Sequence, residues 1–243
     1  GHRQQHPADG DGADARGDQG DRAPRQLGEG QHGEGPRRLL VLCVHAHGPG
    51  MFHTIDPVTK LEDLQGMKIR GGSRIINDML TRLGAEPVGM PVPQVPEALS
   101  KGVITGTTIP WEVTPSLKVA ELVKNHTGFS GKNGLYTQTF GFTMNLDRYN
   151  ALDDDLKAII DENSGVETAR AFGQAMDAGD AIGLKIAQDL GNNIVTLDEA
   201  ETARWKEAAQ PTIDQWYADM QAAGIDGAAL HAAAVELLDA QSM

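Results

Sequence analysis

Short apolar segments alternate with longer helical segments from Leu39 onward, and this alternation limits the possible folds more than any other feature of the chain. Residues 39–44, LLVLCV, are continuously apolar, which is typical of a buried strand. A helical pattern begins after Ser73 and ends at Gly84, and serine and glycine are common caps at these two helix ends. Strands and helices that alternate through short connections predict an α/β fold.

The remaining elements follow from periodicity and helix-capping signals. We expect the helix after Ser73 to bury one apolar face made of Ile75, Ile76, Met79, Leu80 and Leu83. We expect further strands over residues 67–70, 86–90, 103–105, 134–146 and 194–197, and helices over residues 95–101 and 153–190. Asp198 is expected to cap a helix that Pro211 interrupts or restarts, and Asp226 to open the last helix.

Residues 1–38 differ in composition from the rest of the chain. They include one leucine, Leu27, and no Val, Ile, Met, Phe, Trp or Tyr, so they cannot offset the entropy of ordering and we expect disorder. Two origins stay open: a natural low-complexity tail, or translation of a GC-rich gene in the wrong frame. The start lacks the apolar region of a secretory signal, so any export signal is expected to have been removed or to lie outside this sequence.

Composition excludes several classes of function. The formal net charge of −13 repels phosphate backbones, which makes nucleic acid an unsuitable partner. No apolar run reaches the length of about 18 residues that a membrane span requires. Cys43 stands alone, so the chain forms no internal disulfide. Nucleophile-elbow, Walker A and dinucleotide-binding motifs are absent from the sequence.

Three parts of the sequence carry a family pattern. The first is LQGMKIR at residues 64–70 with LGAEPVGMP at residues 83–91, the second is VPEALSKGVITG at residues 95–106, and the third is MNLDRYNALDDDLK at residues 144–157. In order and spacing they resemble the solute-binding subunits of TRAP transporters, the DctP family. The resemblance extends over about residues 41–240.

The resemblance implies a type II periplasmic-binding-protein fold, in which two α/β lobes close over a ligand and a long helix connects them. Family members have more structured sequence before the strand at Leu39, so the N-terminal lobe is expected to be incomplete. The expected segments are a tail at 1–38, a remnant of lobe one at 39–69, lobe two at 70–146 and a helical segment at 147–243.

The function implied by the resemblance is capture of a small organic acid in the bacterial periplasm and its delivery to TRAP membrane subunits. The chain itself is expected to be no enzyme, to need no cofactor or metal, and not to span the membrane. Two alternatives stay open. One is a small metal-dependent hydrolase that uses His45, His47 and His53, and the other is a truncated, non-functional fragment.

Arg70 is the central candidate for ligand binding. It ends a strand and precedes Gly71, Gly72 and Ser73, which open a helix. A guanidinium pairs with a carboxylate through two parallel hydrogen bonds, and a helix N-terminus favours an anion. The resemblance implies that this arginine grips the ligand carboxylate. Ser73 either points its hydroxyl at the ligand or acts as a helix cap.

The second group of candidates follows the predicted strand at residues 103–105. By resemblance, Ile109 takes the place of a ligand-contacting Asn, and Val92 lies in a loop that forms a pocket wall. Trp111 either covers an apolar or aromatic part of the ligand or belongs to the core. Glu112 is either a pocket acceptor or a helix-start carboxylate. We therefore expect a ligand with one carboxylate and a less polar body.

Aromatic residues complete the candidates. Tyr136 and Phe140 lie four residues apart on one face of a predicted strand, where one of them contacts the ligand or both pack in the core. By resemblance, the segment that contains Phe52 and His53 enters the cleft, so either side chain could touch the ligand.

Overall fold

The computed structural model describes residues 26–27, 38–131 and 133–241. Its strands are β1 (Gln26–Leu27), β2 (Leu39–Ala46), β3 (Met51–Thr54), β4 (Lys68–Gly71), β5 (Glu86–Gly89), β6 (Gly106–Ile109), β7 (Asn125–Phe129), β8 (Thr139–Asn145) and β9 (Asn193–Leu197). Its helices are α1 (Arg74–Arg82), α2 (Val95–Ser100), α3 (Val119–Leu122), α4 (Leu146–Asn150), α5 (Asp154–Glu162), α6 (Val166–Asp189), α7 (Glu199–Ala222) and α8 (Gly227–Gln241). Single 3₁₀ turns cover Leu61–Leu64, Val92–Gln94 and Trp111–Val113.

The described chain divides into two compact units. The smaller unit contains the described residues up to Cys43 together with Gly141–Thr168. The larger unit contains Val44–Phe140 and the described residues from Ala169 onward. The chain therefore passes between the units three times, within β2, within β8 and within α6.

A six-stranded sheet forms the centre of the larger unit, with strand order β5-β4-β6-β3-β7-β9. β3 runs antiparallel to β6 and β7, whereas the other neighbouring pairs run parallel. Five strands therefore end at one edge of the sheet, and β3 begins there. We call this edge, where β4, β5, β6, β7 and β9 end, the carboxyl edge.

The largest apolar core of the larger unit joins the sheet to α1 and α7. Phe52 and Ile69 are completely buried, and Trp205 from α7 lies edge-on to Phe52 with ring centroids 5.4 Å apart. Burying each side chain of this size contributes roughly 1.5–3 kcal/mol. α1 is capped by Ser73, whose Oγ accepts a hydrogen bond from the backbone N–H of Ile76 at 3.3 Å.

The smaller unit contains a three-stranded sheet with the order β1-β2-β8. β1 pairs antiparallel with β2, so that Gln26 lies opposite Leu40. Gly165 adopts a φ of 85° between α5 and α6, and its N–H donates to the Leu42 carbonyl at 2.6 Å. Glycine suits this position because a side chain is strained at positive φ.

The main expectations from the sequence are confirmed. The fold is α/β with a mixed sheet, and β2 and β9 lie where strands are expected. Ser73 caps α1, and Asp198 caps α7 by accepting from the Glu201 N–H at 2.8 Å. Asp226 likewise accepts from the Ala229 N–H at the start of α8.

Two strand predictions are wrong. The strand expected at residues 103–105 lies at Gly106–Ile109, because the N–H groups of Val103 and Ile104 bond to the Ala98 carbonyl and close α2. The strand expected at residues 134–146 begins only at Thr139. Its first part instead bonds to the turn before β3, with the Leu135 N–H donating to the Gly50 carbonyl.

Three helix predictions are also wrong. The long helix expected at residues 153–190 is two helices, because Gly165 turns the chain between them. Pro211 does not interrupt α7; it is exposed, so the carbonyl that loses its partner can bond to water. Ile75 is 47% exposed and does not share the buried face of α1.

Each unit combines residues that are far apart in the sequence. The expected division into segments 39–69, 70–146 and 147–243 stays a prediction. The expected disorder of residues 1–38 falls outside the described residues, except at Arg38 and at Gln26 and Leu27, which form β1.

Two glycines of α6 test how closely this helix approaches the turn at Trp111. A Cβ at Gly183 would lie 2.1 Å from the Trp111 carbonyl oxygen, whereas a Cβ at Gly173 would meet nothing within 4 Å. We expect Gly183→Ala to destabilise the protein by about 1–3 kcal/mol through overpacking. Gly173→Ala should stabilise it by about 0.5–1 kcal/mol through helix propensity. Urea-unfolding midpoints measure both, and equal effects would contradict the close approach.

Candidate functional site

Most of the candidate residues lie at or near the carboxyl edge. β4 ends at Arg70 and Gly71, β5 leads to Met90, and β6 leads to Trp111. The turn that precedes β3 reaches the same edge. In open α/β sheets, ligands bind outside the carboxyl ends of the strands, so the strand arrangement favours a binding site here.

Arg70 is a buried cation without a protein counter-ion among the described residues. Its side chain is 5% exposed, and its Nε–H donates to the Met90 carbonyl at 3.1 Å. The described chain supplies no carboxylate within ion-pair distance of it. Burial lowers the pKa of Arg70, and the neighbouring Tyr136 acts in the opposite direction. Because an arginine keeps its charge in proteins, the guanidinium remains a desolvated cation that an anion would stabilise.

Gly72 lies against the guanidinium and has no side chain of its own. A Cβ at this position would lie 3.4 Å from Nη1 of Arg70, 3.5 Å from its Nη2 and 3.4 Å from Oε1 of Gln138. Gln138 therefore lies beside the guanidinium, and the sequence analysis missed it. Its two-residue spacing from Tyr136 and Phe140 is the signal that could have identified it.

Tyr136 forms the wall next to Arg70. Its hydroxyl donates to the Thr108 carbonyl at 3.0 Å, and burial raises the pKa of this phenol. Gly50 lies directly against the ring, since a Cβ there would be 2.5 Å from Cε1 of Tyr136. The structure thus places Tyr136 beside Arg70, and its contact with a ligand stays a prediction.

Four further aromatic side chains continue the surface from Tyr136. His47 lies edge-on to Tyr136, with ring centroids 5.4 Å apart, and 5.9 Å from Phe140. His45 stacks on Phe140 at 5.3 Å and lies edge-on to Phe172 at 5.0 Å. Phe140 is 40% exposed, so part of this aromatic surface faces solvent.

Trp111 is 6% exposed and packs on two buried histidines. Its ring lies 4.9 Å from the ring of His53 and 4.8 Å from that of His126. Ala120 and Ala187 complete its surroundings. The structure therefore supports the core alternative for Trp111 more than the ligand-covering one.

The two histidines behind Trp111 belong to one hydrogen-bond chain. His53 Nε2 lies 3.1 Å from the Ile109 carbonyl, so this nitrogen carries the proton and Nδ1 accepts from His126 Nδ1 at 2.7 Å. His126 Nε2 in turn accepts from the Asn192 amide at 3.0 Å. Both imidazoles are neutral in this arrangement. The sequence analysis missed His126 and Asn192, because no motif connects them.

Glu112 and Asp180 meet at the start of the turn Trp111–Val113. Asp180 Oδ1 accepts from the Glu112 N–H at 2.8 Å, which caps the turn. Burial and the negative charge of Asp180 raise the pKa of Glu112, and burial raises the pKa of Asp180. Asp180, which the sequence analysis missed, thus brings a second carboxylate to the Glu112 end of the site.

The other predicted site residues differ in burial and contacts. Phe52 is completely buried in the core, so it has no surface to offer a ligand. Ile109 is 2% exposed and packs in the cluster around α2 and α3. The Ser73 hydroxyl serves as the α1 cap. Val92 is half-buried and opens the turn that follows β5.

The histidine cluster proposed for a hydrolase does not assemble. Both ring nitrogens of His53 are engaged by Ile109 and His126, and His47 Nδ1 bonds to the Gly48 carbonyl. Within the described ranges, no group of three or more His, Cys, Asp or Glu side chains is arranged to hold a metal ion. None of the helices described has the length and apolar character needed to cross a lipid bilayer.

The sequence profile of one protein family, described as bacterial extracellular solute-binding protein, family 7 (DctP), matches residues 38–219. The chain belongs to this family, whose members bind substrates for transport and are not enzymes.

Solved structures of TRAP solute-binding proteins have the same fold. One from Rhodoferax ferrireducens T118, in complex with copurified benzoate, is 43% identical with a TM-score of 0.81, over 84% of this chain and 64% of that chain. One from a marine metagenome, described as specific for aromatic acid ligands and containing 3-hydroxybenzoate, is 45% identical with a TM-score of 0.75, over 78% of this chain and 60% of that chain.

Among curated proteins, the C4-dicarboxylate-binding periplasmic protein DctP of Rhodobacter capsulatus is 27% identical over 165 residues. The match covers 65% of this chain and 47% of that protein. The chain spans about half the length of the curated relatives it matches.

The buried histidine pair predicts how stability depends on pH. Burial and the charge of His126 lower the pKa of His53 from 6.5 to about 3, and burial lowers that of His126 from 6.5 to about 4. Below pH 6.5 the unfolded chain therefore binds more protons than the folded chain, and stability falls as the pH drops towards 4. We expect a loss of at least about 2 kcal/mol in this window, measured by urea unfolding.

His126→Asn removes one titrating imidazole and should make this decline shallower. His231→Asn, at an exposed histidine of α8, is the matched control and should leave the slope unchanged. Equal slopes in the two variants would contradict the assignment.

Proposed function

We propose that this protein captures an aromatic monocarboxylate at the carboxyl edge and delivers it to the membrane subunits of a TRAP transporter in the bacterial periplasm. The observation on which the proposal rests is the buried guanidinium of Arg70, which has no carboxylate partner among the described residues.

A carboxylate is the anion that suits this guanidinium best. The Nε–H donates to the Met90 carbonyl, while Nη1 and Nη2 lie beside Gly72, which has no side chain. A carboxylate can accept two parallel hydrogen bonds from a guanidinium, and such charge-assisted pairs are strong. A bound carboxylate would thus supply the negative charge that the described residues do not place beside Arg70.

Aromatic side chains favour an aromatic body for the ligand. The ring of Tyr136 lies next to Arg70, and the rings of His47 and Phe140 continue the surface from there, so stacked or edge-on contacts with another ring are favourable. The two solved relatives with 43% and 45% identity contain benzoate and 3-hydroxybenzoate, respectively. Both ligands have one carboxylate and a ring.

A dicarboxylate fits this site less well. Beyond Tyr136 and His47, the charged groups at this end are the carboxylates of Asp180 and Glu112, which would repel a second anionic group. The distant curated relative from Rhodobacter capsulatus, described as C4-dicarboxylate-binding, shares only 27% identity. We therefore propose that this chain binds a different class of ligand from that relative.

Replacing Arg70 tests the proposal. Benzoate should raise the melting temperature of the unchanged protein, because a ligand that binds only the folded state stabilises it. Arg70→Met should lower benzoate affinity by at least about 100-fold, since it removes the charged partner of the carboxylate. Isothermal titration and thermal-shift measurements with benzoate check this.

Two further variants make the result specific. Arg82→Met, at the far end of α1 where Arg82 pairs with Asp78, should bind benzoate as the unchanged protein does. Gly72→Leu should weaken binding by placing a side chain against the guanidinium, without removing its charge. Benzoate binding that survives in Arg70→Met would refute the assignment.

A further inference from the structure

His47 lies on the aromatic wall of the proposed site, two contacts away from the carboxylate-binding group. Tyr136 neighbours the Arg70 guanidinium and meets the His47 ring edge-on at 5.4 Å. His47 itself is 9% exposed and belongs to the turn that leads into β3 at the carboxyl edge. A ring that rests on Tyr136 with its carboxylate on Arg70 would therefore extend towards His47.

One hydrogen bond fixes which nitrogen of His47 can accept. Nδ1 lies 2.5 Å from the carbonyl oxygen of Gly48. A carbonyl only accepts hydrogen bonds, so Nδ1 carries the proton and Nε2 of the neutral ring keeps a lone pair. No hydrogen bond from residues 38–131 or 133–241 reaches Nε2. His47 thus offers an unused acceptor on an otherwise apolar wall.

The charges around His47 select the kind of group that this acceptor would meet. The Asp180 carboxylate lies against the next residue, since a Cβ at Gly48 would be 1.8 Å from Oδ2. Glu112 lies on the other side of Asp180, close enough for the two negative charges to interact. A second anion is disfavoured here, whereas a neutral donor such as a hydroxyl group is not.

We infer that His47 selects among aromatic acids by accepting a hydrogen bond at Nε2 from a hydroxyl group on the ligand ring. The inference rests on the proposed function and adds a specificity-determining residue to it. Arg70 and the aromatic wall would bind any aromatic monocarboxylate, and His47 would distinguish hydroxylated rings from unsubstituted ones. If the bound ring covers Nε2, a ring without a hydroxyl group leaves this acceptor unpaired, and the site discriminates against it.

Dissociation constants for benzoate and the three hydroxybenzoate isomers test this inference by isothermal titration. In the unchanged protein, at least one isomer should bind about tenfold more tightly than benzoate, as one well-formed hydrogen bond allows. In His47→Phe, which keeps an aromatic ring and removes the acceptor, the dissociation constants for benzoate and for that isomer should become about equal. His47→Gln, whose amide oxygen can accept, should restore part of the preference.

The outcomes separate this inference from the proposed function. A hydroxyl preference that survives in His47→Phe, or no preference in the unchanged protein, overturns the role of His47 while Arg70-dependent benzoate binding stands. If none of the four acids binds, both the proposed function and the role of His47 are wrong. His231→Phe, at an exposed histidine of α8, should keep the hydroxyl preference of the unchanged protein.

Discussion

The buried guanidinium of Arg70 is the constraint around which the carboxyl edge is arranged. Moving a cation out of water costs several kcal/mol unless an opposite charge compensates for it. The described residues provide one carbonyl, that of Met90, and no carboxylate. The fold therefore tolerates a local electrostatic cost at Arg70, and packing elsewhere offsets that cost. Charged groups in such perturbed surroundings are typical of binding sites.

Backbone topology, more than sequence proximity, brings the site together. Arg70, Met90 and Trp111 come from three neighbouring strands that end at one edge, and the reversed strand β3 returns the His47 turn to the same place. Glycine positions are as important for this arrangement as the side chains that line the site. Gly50 and Gly183 let Tyr136 and the Trp111 turn approach other backbone segments more closely than a Cβ would allow.

The sequence predicts those features that depend on local chemistry. The α/β class, the Ser73 cap and the position of Arg70 at the end of a strand all follow from neighbouring residues, as does the choice of Tyr136 as a candidate. Long-range contacts are not visible in this way. β3 and β6 are short, largely buried strands that contain threonine, and β3 also contains a histidine, so they show no apolar alternation. The burial of Phe52 and the pairing of His53 with His126 depend on partners distant in sequence.

The interleaved connectivity of the two units has a consequence for synthesis on the ribosome. Phe52 and Phe129 of the early part of the chain need Trp205 to cover them, and β7 needs β9 as its outer neighbour. Neither partner has emerged when the first 140 residues are complete. The nascent chain therefore exposes an open sheet and an uncovered apolar face until α7 is translated, and such a state is a target for chaperones.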